Sequence, residues 1–186
     1  MARSEAVRWD KADQESAIAR LERDGTFAAD QARIDGPLLD RILKAASKRR
    51  GRPVFNNAQF DGASFETDAR FNGVSFEGQT SFRDVRFQGP AFFRDATFQE
   101  ETRFEGAVFG GFTDLTAATF RANTSFARAR FVEQSRFDHA RFLGEVGFGK
   151  TDFPGRCVVC LRAILRQRVV PPRSVCEGNN LPSGSV

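Results

Sequence analysis

Large apolar residues recur along residues 60–153 at steps that alternate between five and six, which gives an eleven-residue repeat. Eighteen positions follow this spacing without a break, and seventeen of them are Phe, with Leu115 as the exception. They are residues 60, 65, 71, 76, 82, 87, 93, 98, 104, 109, 115, 120, 126, 131, 137, 142, 148 and 153. Self-similarity at a fixed period indicates a solenoid, in which each unit buries its apolar face against its neighbours.

A second register lies two residues before each of these positions, and all eighteen of its members are small or β-branched. Ala58, Ala107 and Thr124 are examples. The residue between the two registers varies widely and is often charged, as Arg70 and Asp114 show. This inward, outward, inward order is typical of a short β-strand, in which successive side chains point to opposite faces.

Neither a helix nor a long strand fits this spacing. An amphipathic helix needs apolar residues at mixed three- and four-residue intervals, and a five-six alternation moves around the helix axis. A long strand would sustain its alternation, whereas here it lasts about three residues before a polar break that often contains Gly. The pattern therefore predicts short strands and corners wound around a narrow apolar core.

The spelling Phe-x-x-Ala-x-Phe, as in residues 60–65 and 93–98, resembles the pentapeptide-repeat family, and the alternating spacing resembles a phenylalanine-rich subgroup of it. The resemblance covers residues 54–153. It implies a mainly β fold, a right-handed quadrilateral β-helix in which each side points a small residue and a Leu or Phe inward. One inserted residue on every second side makes four sides span 22 residues. Two opposite corners are therefore expected to widen.

A coil of 22 residues predicts four ladders of stacked apolar side chains, with rungs about 4.8 Å apart. The ladders are Phe60, Phe82, Phe104, Phe126 and Phe148; Phe65, Phe87, Phe109, Phe131 and Phe153; Phe71, Phe93, Leu115 and Phe137; and Phe76, Phe98, Phe120 and Phe142. The rung before Phe76 is either Val54, which keeps the spacing, or Phe55, which is one residue out of register.

The segments outside the repeat are predicted to cover its ends, because stacked coils leave an open apolar cross-section. Residues 1–53 are interpreted as a helical N-terminal cap and basic linker, with helices over residues 10–24 and 37–47. Residues 154–186 are interpreted as a short amphipathic helix, over 157–169, followed by a disordered tail. A truncated continuation of the repeat is the alternative for this end.

Charge is unevenly distributed along the chain, whose formal net charge is +4. Residues 1–54 carry a net +3, residues 55–153 a net −3, and residues 154–186 a net +4. Basic ends around a mildly acidic repeat argue against a nucleic-acid-binding role, which needs a basic stripe. Lys48 and Arg52 delimit a basic run that could contact phosphate, although a solvated linker is the favoured interpretation.

No candidate for catalysis or metal binding emerges from the residue pattern. Cys157, Cys160 and Cys176 offer too few ligands for zinc, and His139 occupies a corner without a partner acid or nucleophile. No signal peptide or membrane span is visible, and three clustered cysteines fit a reducing, cytoplasmic setting. We therefore predict no enzyme activity, no cofactor, no metal and no small-molecule substrate.

Two aromatic residues depart from the inward rule. Phe92 occupies an outward position beside Phe93, and Phe112 lies on a six-residue side within Gly110-Gly111-Phe112. Exposed aromatics on a polar rod indicate a partner surface, although either ring could instead tuck under a bulge.

The favoured function is a structural or protein-interaction scaffold, with the partner and the oligomeric state left open. The family resemblance also implies an alternative, in which a rod shaped and charged like DNA binds DNA gyrase or another type II topoisomerase and protects it from quinolones. That role depends on a strongly acidic rod, so the net charge of −3 and the outward arginines of this repeat argue against it.

Overall fold

Two helices begin the part of the chain that the computed structural model describes, residues 9–154 and 157–158. Helix α1 (Lys11–Asp24) starts at Asp10, whose carboxylate accepts a hydrogen bond from the Asp13 N–H, and ends at Gly25 in the left-handed conformation. Helix α2 (Gly36–Ser47) is capped by the carboxylate of Asp35 in the same way. Both helices match the predicted ones to within a residue or two.

Within the described residues, 21 short strands follow the sides of a solenoid and form four parallel sheets, here called sides A to D. Side A contains β1 (Thr26–Ala28), β4 (Asn57–Gln59), β8 (Thr80–Ser81), β12 (Thr102–Arg103), β16 (Thr124–Ser125) and β20 (Val146–Gly147). Side B contains β2 (Arg33–Ile34), β5 (Ser64–Phe65), β9 (Arg86–Phe87), β13 (Val108–Phe109) and β17 (Arg130–Phe131).

Sides C and D complete the coil, which the chain follows in the order A, B, D, C. Side C contains β3 (Val54–Phe55), β7 (Ser75–Phe76), β11 (Thr97–Phe98), β15 (Thr119–Phe120) and β19 (Arg141–Phe142). Side D contains β6 (Ala69–Arg70), β10 (Ala91–Phe92), β14 (Thr113–Asp114), β18 (Ser135–Arg136) and β21 (Cys157–Val158). The fold is thus a β-solenoid of about 4 turns with about 22 residues per turn.

The four predicted ladders fill the core. Rings within a ladder stack nearly parallel, and the centroids of Phe109 and Phe131 are 4.5 Å apart with planes inclined by 2°. Rings of different ladders meet either tilted, as Phe93 and Phe98 do at 45°, or edge to face, as Phe93 and Phe104 do at 84°. Parallel strand spacing sets the first geometry, and the aromatic quadrupole favours the second. The Phe104 side chain is 0% exposed, so the ladder is dry at its centre.

Phe55, not Val54, occupies the rung before Phe76. Strand β3 pairs Phe55 with Phe76 and Val54 with Ser75, an interval of one residue less than a full coil. The following corner is correspondingly short, because the backbone N–H of Asn56 donates to Gly25 O at 2.7 Å and holds the chain against the cap.

An incomplete first coil precedes the Phe repeat, and sequence reasoning missed its two strands within residues 1–53. Strand β1 pairs with β4, and β2 pairs with β5 so that Ile34 aligns with Phe65. Helix α2 follows β2 at the place in the coil where side D would run, and it buries Leu38, Leu39 and Ile42. The helix therefore covers the open end of the core beside two short strands.

The C-terminal end differs from the helix predicted over residues 157–169. Cys157 and Val158 form β21, which pairs in parallel with Ser135 and Arg136 of β18. Pairing satisfies backbone groups that would otherwise be left free at the edge of side D. The remaining residues of the predicted helix, and the predicted tail over 171–186, lie outside the described residues.

Corners of the five-residue steps use a left-handed residue. Each closes with a backbone hydrogen bond, such as Ala63 N–H to Phe60 O at 2.9 Å, and places the preceding residue at positive φ. Gly62 adopts φ 68° there without strain, whereas Ala117 adopts φ 58° against the preference of an L-residue.

Corners of the six-residue steps use glycine for a different reason. A Cβ added to Gly144 would lie 2.4 Å from the backbone carbon of Ala122 in the preceding coil, so the glycine permits close stacking. These corners also explain the buried threonines. The hydroxyl of Thr102 donates to Glu100 O at 3.1 Å, which satisfies a polar group that has no access to water.

Candidate interaction surface

Side D carries one column of outward side chains, contributed by the second residue of strands β6, β10, β14 and β18. Strand pairing aligns Arg70, Phe92, Asp114 and Arg136 in that order along the rod. Because the sheet is parallel and in register, neighbours in the column are about 4.8 Å apart. The column thus places an aromatic ring and three charged groups on one flat face.

Phe112 joins this column from the adjoining corner. Its ring centroid is 6.2 Å from that of Phe92, and the two planes are inclined by 59°. Its carbonyl accepts a hydrogen bond of 2.8 Å from the Ala91 N–H, which fixes the backbone to side D. Gly111 permits this position, because a Cβ there would lie 2.8 Å from the Pro90 nitrogen. Both rings are half-buried, so each presents part of its surface to solvent.

The guanidinium of Arg136 lies over the ring of Phe112, 5.4 Å from its centroid. A cation held over an aromatic face gains on the order of 0.5–1 kcal/mol at an exposed site. Arg136 is exposed, and it makes no ion pair with any residue of the described part of the chain. Among the described residues, its N–H groups therefore have no carboxylate partner. We call Phe92, Phe112 and Arg136 the aromatic patch.

The carboxylate of Asp114 is already bonded to neighbouring groups of the chain. Its carboxylate accepts from Arg94 at 2.9 Å and from the Thr116 N–H at 2.9 Å, and its side chain is 5% exposed. Burial alone would raise the pKa of Asp114, but the hydrogen bonds from Thr116 and Arg94 outweigh it and lower the pKa. Hydrogen bonding to Asp114 likewise raises the pKa of Arg94. This pair is a structural support beside the patch.

The end of the column at Arg70 is more open. Arg70 bonds to Asp68 at 3.0 Å in a pair whose side chains are 69% and 40% exposed, an arrangement that contributes little stability. A cleft of about 390 Å³ separates this pair from the start of α2, where Pro37 and Asp40 line it. Arg70 can therefore change partners at low cost.

The other residues singled out in the sequence do not form a site as far as the structure describes them. His139 is an exposed corner residue at φ 58°, and Cys157 belongs to β21, whereas Cys160 and Cys176 lie outside the described residues. Within residues 9–154 and 157–158 there is no group of three or more side chains suited to hold a metal. In the basic run, Lys48 pairs with Glu22 at 2.6 Å, so part of its charge is neutralised internally.

The corner carboxylates singled out in the sequence have structural roles. The Asp61 carboxylate accepts from the Arg83 N–H at 3.2 Å in the next coil, and Glu105 lies 3.9 Å from the Arg83 side chain. Asp84 and Asp95 adopt the left-handed corner conformation, which aspartate tolerates better than most residues. Neither helix in the described part of the chain is long and apolar enough to cross a membrane.

Sequence reasoning singled out Phe92 and Phe112, and the structure brings them together. It did not find Arg136 or the Arg94–Asp114 pair. The 22-residue period contained the signal for the column, since Phe92 follows Arg70 and precedes Asp114 by one coil each. The approach of Phe112 could not be read from that period, because its position depends on the path of a six-residue corner.

Four parallel sheets around ladders of phenylalanine define a β-solenoid repeat protein. A family model described as pentapeptide repeats (9 copies) matches residues 71–119 and 104–152. Residues 71–152 therefore carry pentapeptide repeats, and the phenylalanine ladders fit the phenylalanine-rich subgroup. No curated protein and no solved structure matches the chain.

Proposed function

We propose that this protein is a non-catalytic scaffold that binds another protein through side D. The observation that supports this role is the aromatic patch, where two half-buried rings and an exposed arginine lie outside the core on a flat face. Tryptophan, tyrosine, phenylalanine and arginine are the side chains on which protein interfaces most depend. A rigid strand ladder holds these groups in place before binding, so little entropy is lost on association.

The titratable groups of side D fit a binding role better than a catalytic one. The low pKa of Asp114 keeps its carboxylate ionised and tied to Arg94, so it is poorly suited to donate or accept a proton near neutral pH. A scaffold needs such pairs only to fix neighbouring side chains.

Site-specific photo-crosslinking tests this function. The full chain carries a benzophenone amino acid at position 92 or 112 and is irradiated in the source cell. Position 119 on side C, an outward and half-buried threonine, is the matched control. We expect both side D probes to capture the same protein and the side C probe not to capture it. Identical products from all three positions, or none from side D, would contradict the proposal.

A further inference from the structure

We propose that side D binds an extended segment of its partner in which an aromatic side chain is flanked, two residues away on each side, by carboxylates. This inference rests on the proposed function and adds the chemistry of the partner. It follows from the order of charged and aromatic groups along the outward column and from the spacing of a β-strand.

The spacing of the column matches that of an extended peptide. Arg70 and Arg136 are three strands apart, which corresponds to about 14 Å at the usual strand separation. Four residues of an extended chain cover about 14 Å as well, and alternate side chains point to the same face. Residues i and i+4 of a bound segment therefore reach the two arginines, and residue i+2 reaches the rings between them.

The two arginines are the groups of this column that can accept a new partner. Asp114, which lies between them, is already bonded to Arg94 and is 3% exposed as a residue. Arg136 has no carboxylate partner within the described part of the chain, and Arg70 can exchange its exposed contact with Asp68. A planar guanidinium binds a carboxylate through two parallel hydrogen bonds, so acidic side chains are the expected ligands.

The rings of Phe92 and Phe112 supply the apolar contact between those two ends. Arg136 covers one face of Phe112, and the remaining exposed surface of the two rings, which are inclined by 59°, suits the edge-to-face packing that aromatic side chains favour. Exposed Glu133 lies on the adjoining corner and opposes an acidic ligand to some extent. The test therefore compares acidic peptides with basic ones.

Fluorescence polarisation with the labelled peptide Ser-Glu-Ser-Phe-Ser-Glu-Ser tests this inference on the full chain. Two further peptides replace both Glu residues by Lys, or place them next to Phe. We expect the first peptide to bind at least about tenfold more tightly than either of the others, because only its two carboxylates can reach both arginines. Arg136→Gln should weaken the first peptide by about tenfold, whereas Arg141→Gln, an outward arginine of side C, should not change its affinity.

Equal affinity for the three peptides, or an affinity that Arg136→Gln leaves unchanged in a protein with unaltered melting temperature, overturns the inference. Crosslinking at positions 92 and 112 distinguishes the two levels of the proposal. Specific capture there without peptide selectivity would reject the acidic segment and retain the scaffold. Loss of capture would reject both.

Discussion

The Arg136 guanidinium lies 5.4 Å from the centre of the Phe112 ring and connects the corner after β13 to strand β18 in the next coil. We expect Arg136→Ala and Phe112→Ala each to lower the free energy of unfolding by less than about 1 kcal/mol, because the contact is at the surface. Their coupling in a double-mutant cycle should be about 0.5–1 kcal/mol. Urea denaturation measures these values, and strictly additive effects would show that the contact does not form in solution.

Asp114 should make stability depend on pH. Its pKa is lowered from 3.8 in the folded protein, so its ionised form stabilises the fold above the unfolded-state pKa. That contribution is lost as pH falls through the folded-state pKa. Asp114→Asn should therefore be less stable than the wild type at pH 7, and the two melting temperatures should converge below pH 3.8. Arg94→Gln should follow the same profile, and a pH-independent difference would contradict this assignment.

The corner at Ala117 predicts a stabilising substitution. Ala117 adopts φ 58°, and glycine removes the clash of Cβ that this conformation causes. Ala117→Gly should raise the free energy of unfolding by about 1 kcal/mol. Ala118→Gly is the control. Ala118 is a buried, inward-pointing small residue, so removal of its methyl group should be destabilising. A decrease for both variants would show that Ala117 is not strained.

Strain at the five-residue corners is greater toward the C-terminus. Within the phenylalanine repeat, the corners before residue 107 use Gly or Asp, whereas those after it use Ala117, Arg128, His139 and Lys150. Glycine adopts the left-handed conformation at little cost and aspartate tolerates it, whereas most other residues cost about 1 kcal/mol or more each. We expect the C-terminal coils to open more readily, so that amide hydrogen exchange is faster in β17 and β19 than in β9 and β11. Uniform protection along the rod would contradict this gradient.

The charge of side D predicts how the chain behaves toward DNA gyrase. A DNA-mimicking rod presents acidic faces, but two outward arginines and one neutralised carboxylate dominate this column. In a supercoiling assay we expect neither inhibition of gyrase nor protection from a quinolone. If the chain protected gyrase and substitution of its outward acidic residues abolished that protection, the DNA-mimic alternative would be supported.

The core was predictable from sequence because every coil repeats the same two inward registers. Phe104 and Ala107 occupy their expected places, since period and burial determine them together. The first coil was not predictable from sequence. Strands β1 and β2 lie outside the phenylalanine period and are held in place by pairing with β4 and β5. At Cys157 and Val158 the favoured helix was wrong, and their pairing with β18 agrees with the alternative, a continuation of the repeat.

The aromatic patch was predictable only in part. Phe92 and Phe112 departed from the inward pattern, which identified them as unusual. Their contact depends on a corner path and on stacking of Gly111 over the preceding coil, neither of which the local sequence specifies. Arg136 looked like any other outward arginine until the structure placed it over a ring.

In the proposed role, the inward phenylalanines hold the rod together, whereas the outward phenylalanines of side D contribute little to folding and serve binding. Urea denaturation of Phe104→Ala and Phe92→Ala compares the two classes, since both changes remove the same side chain. Phe104 is fully buried, so its loss should lower the free energy of unfolding by about 3–5 kcal/mol. Phe92→Ala should lower it by less than about 1 kcal/mol. Equal losses would contradict the claim.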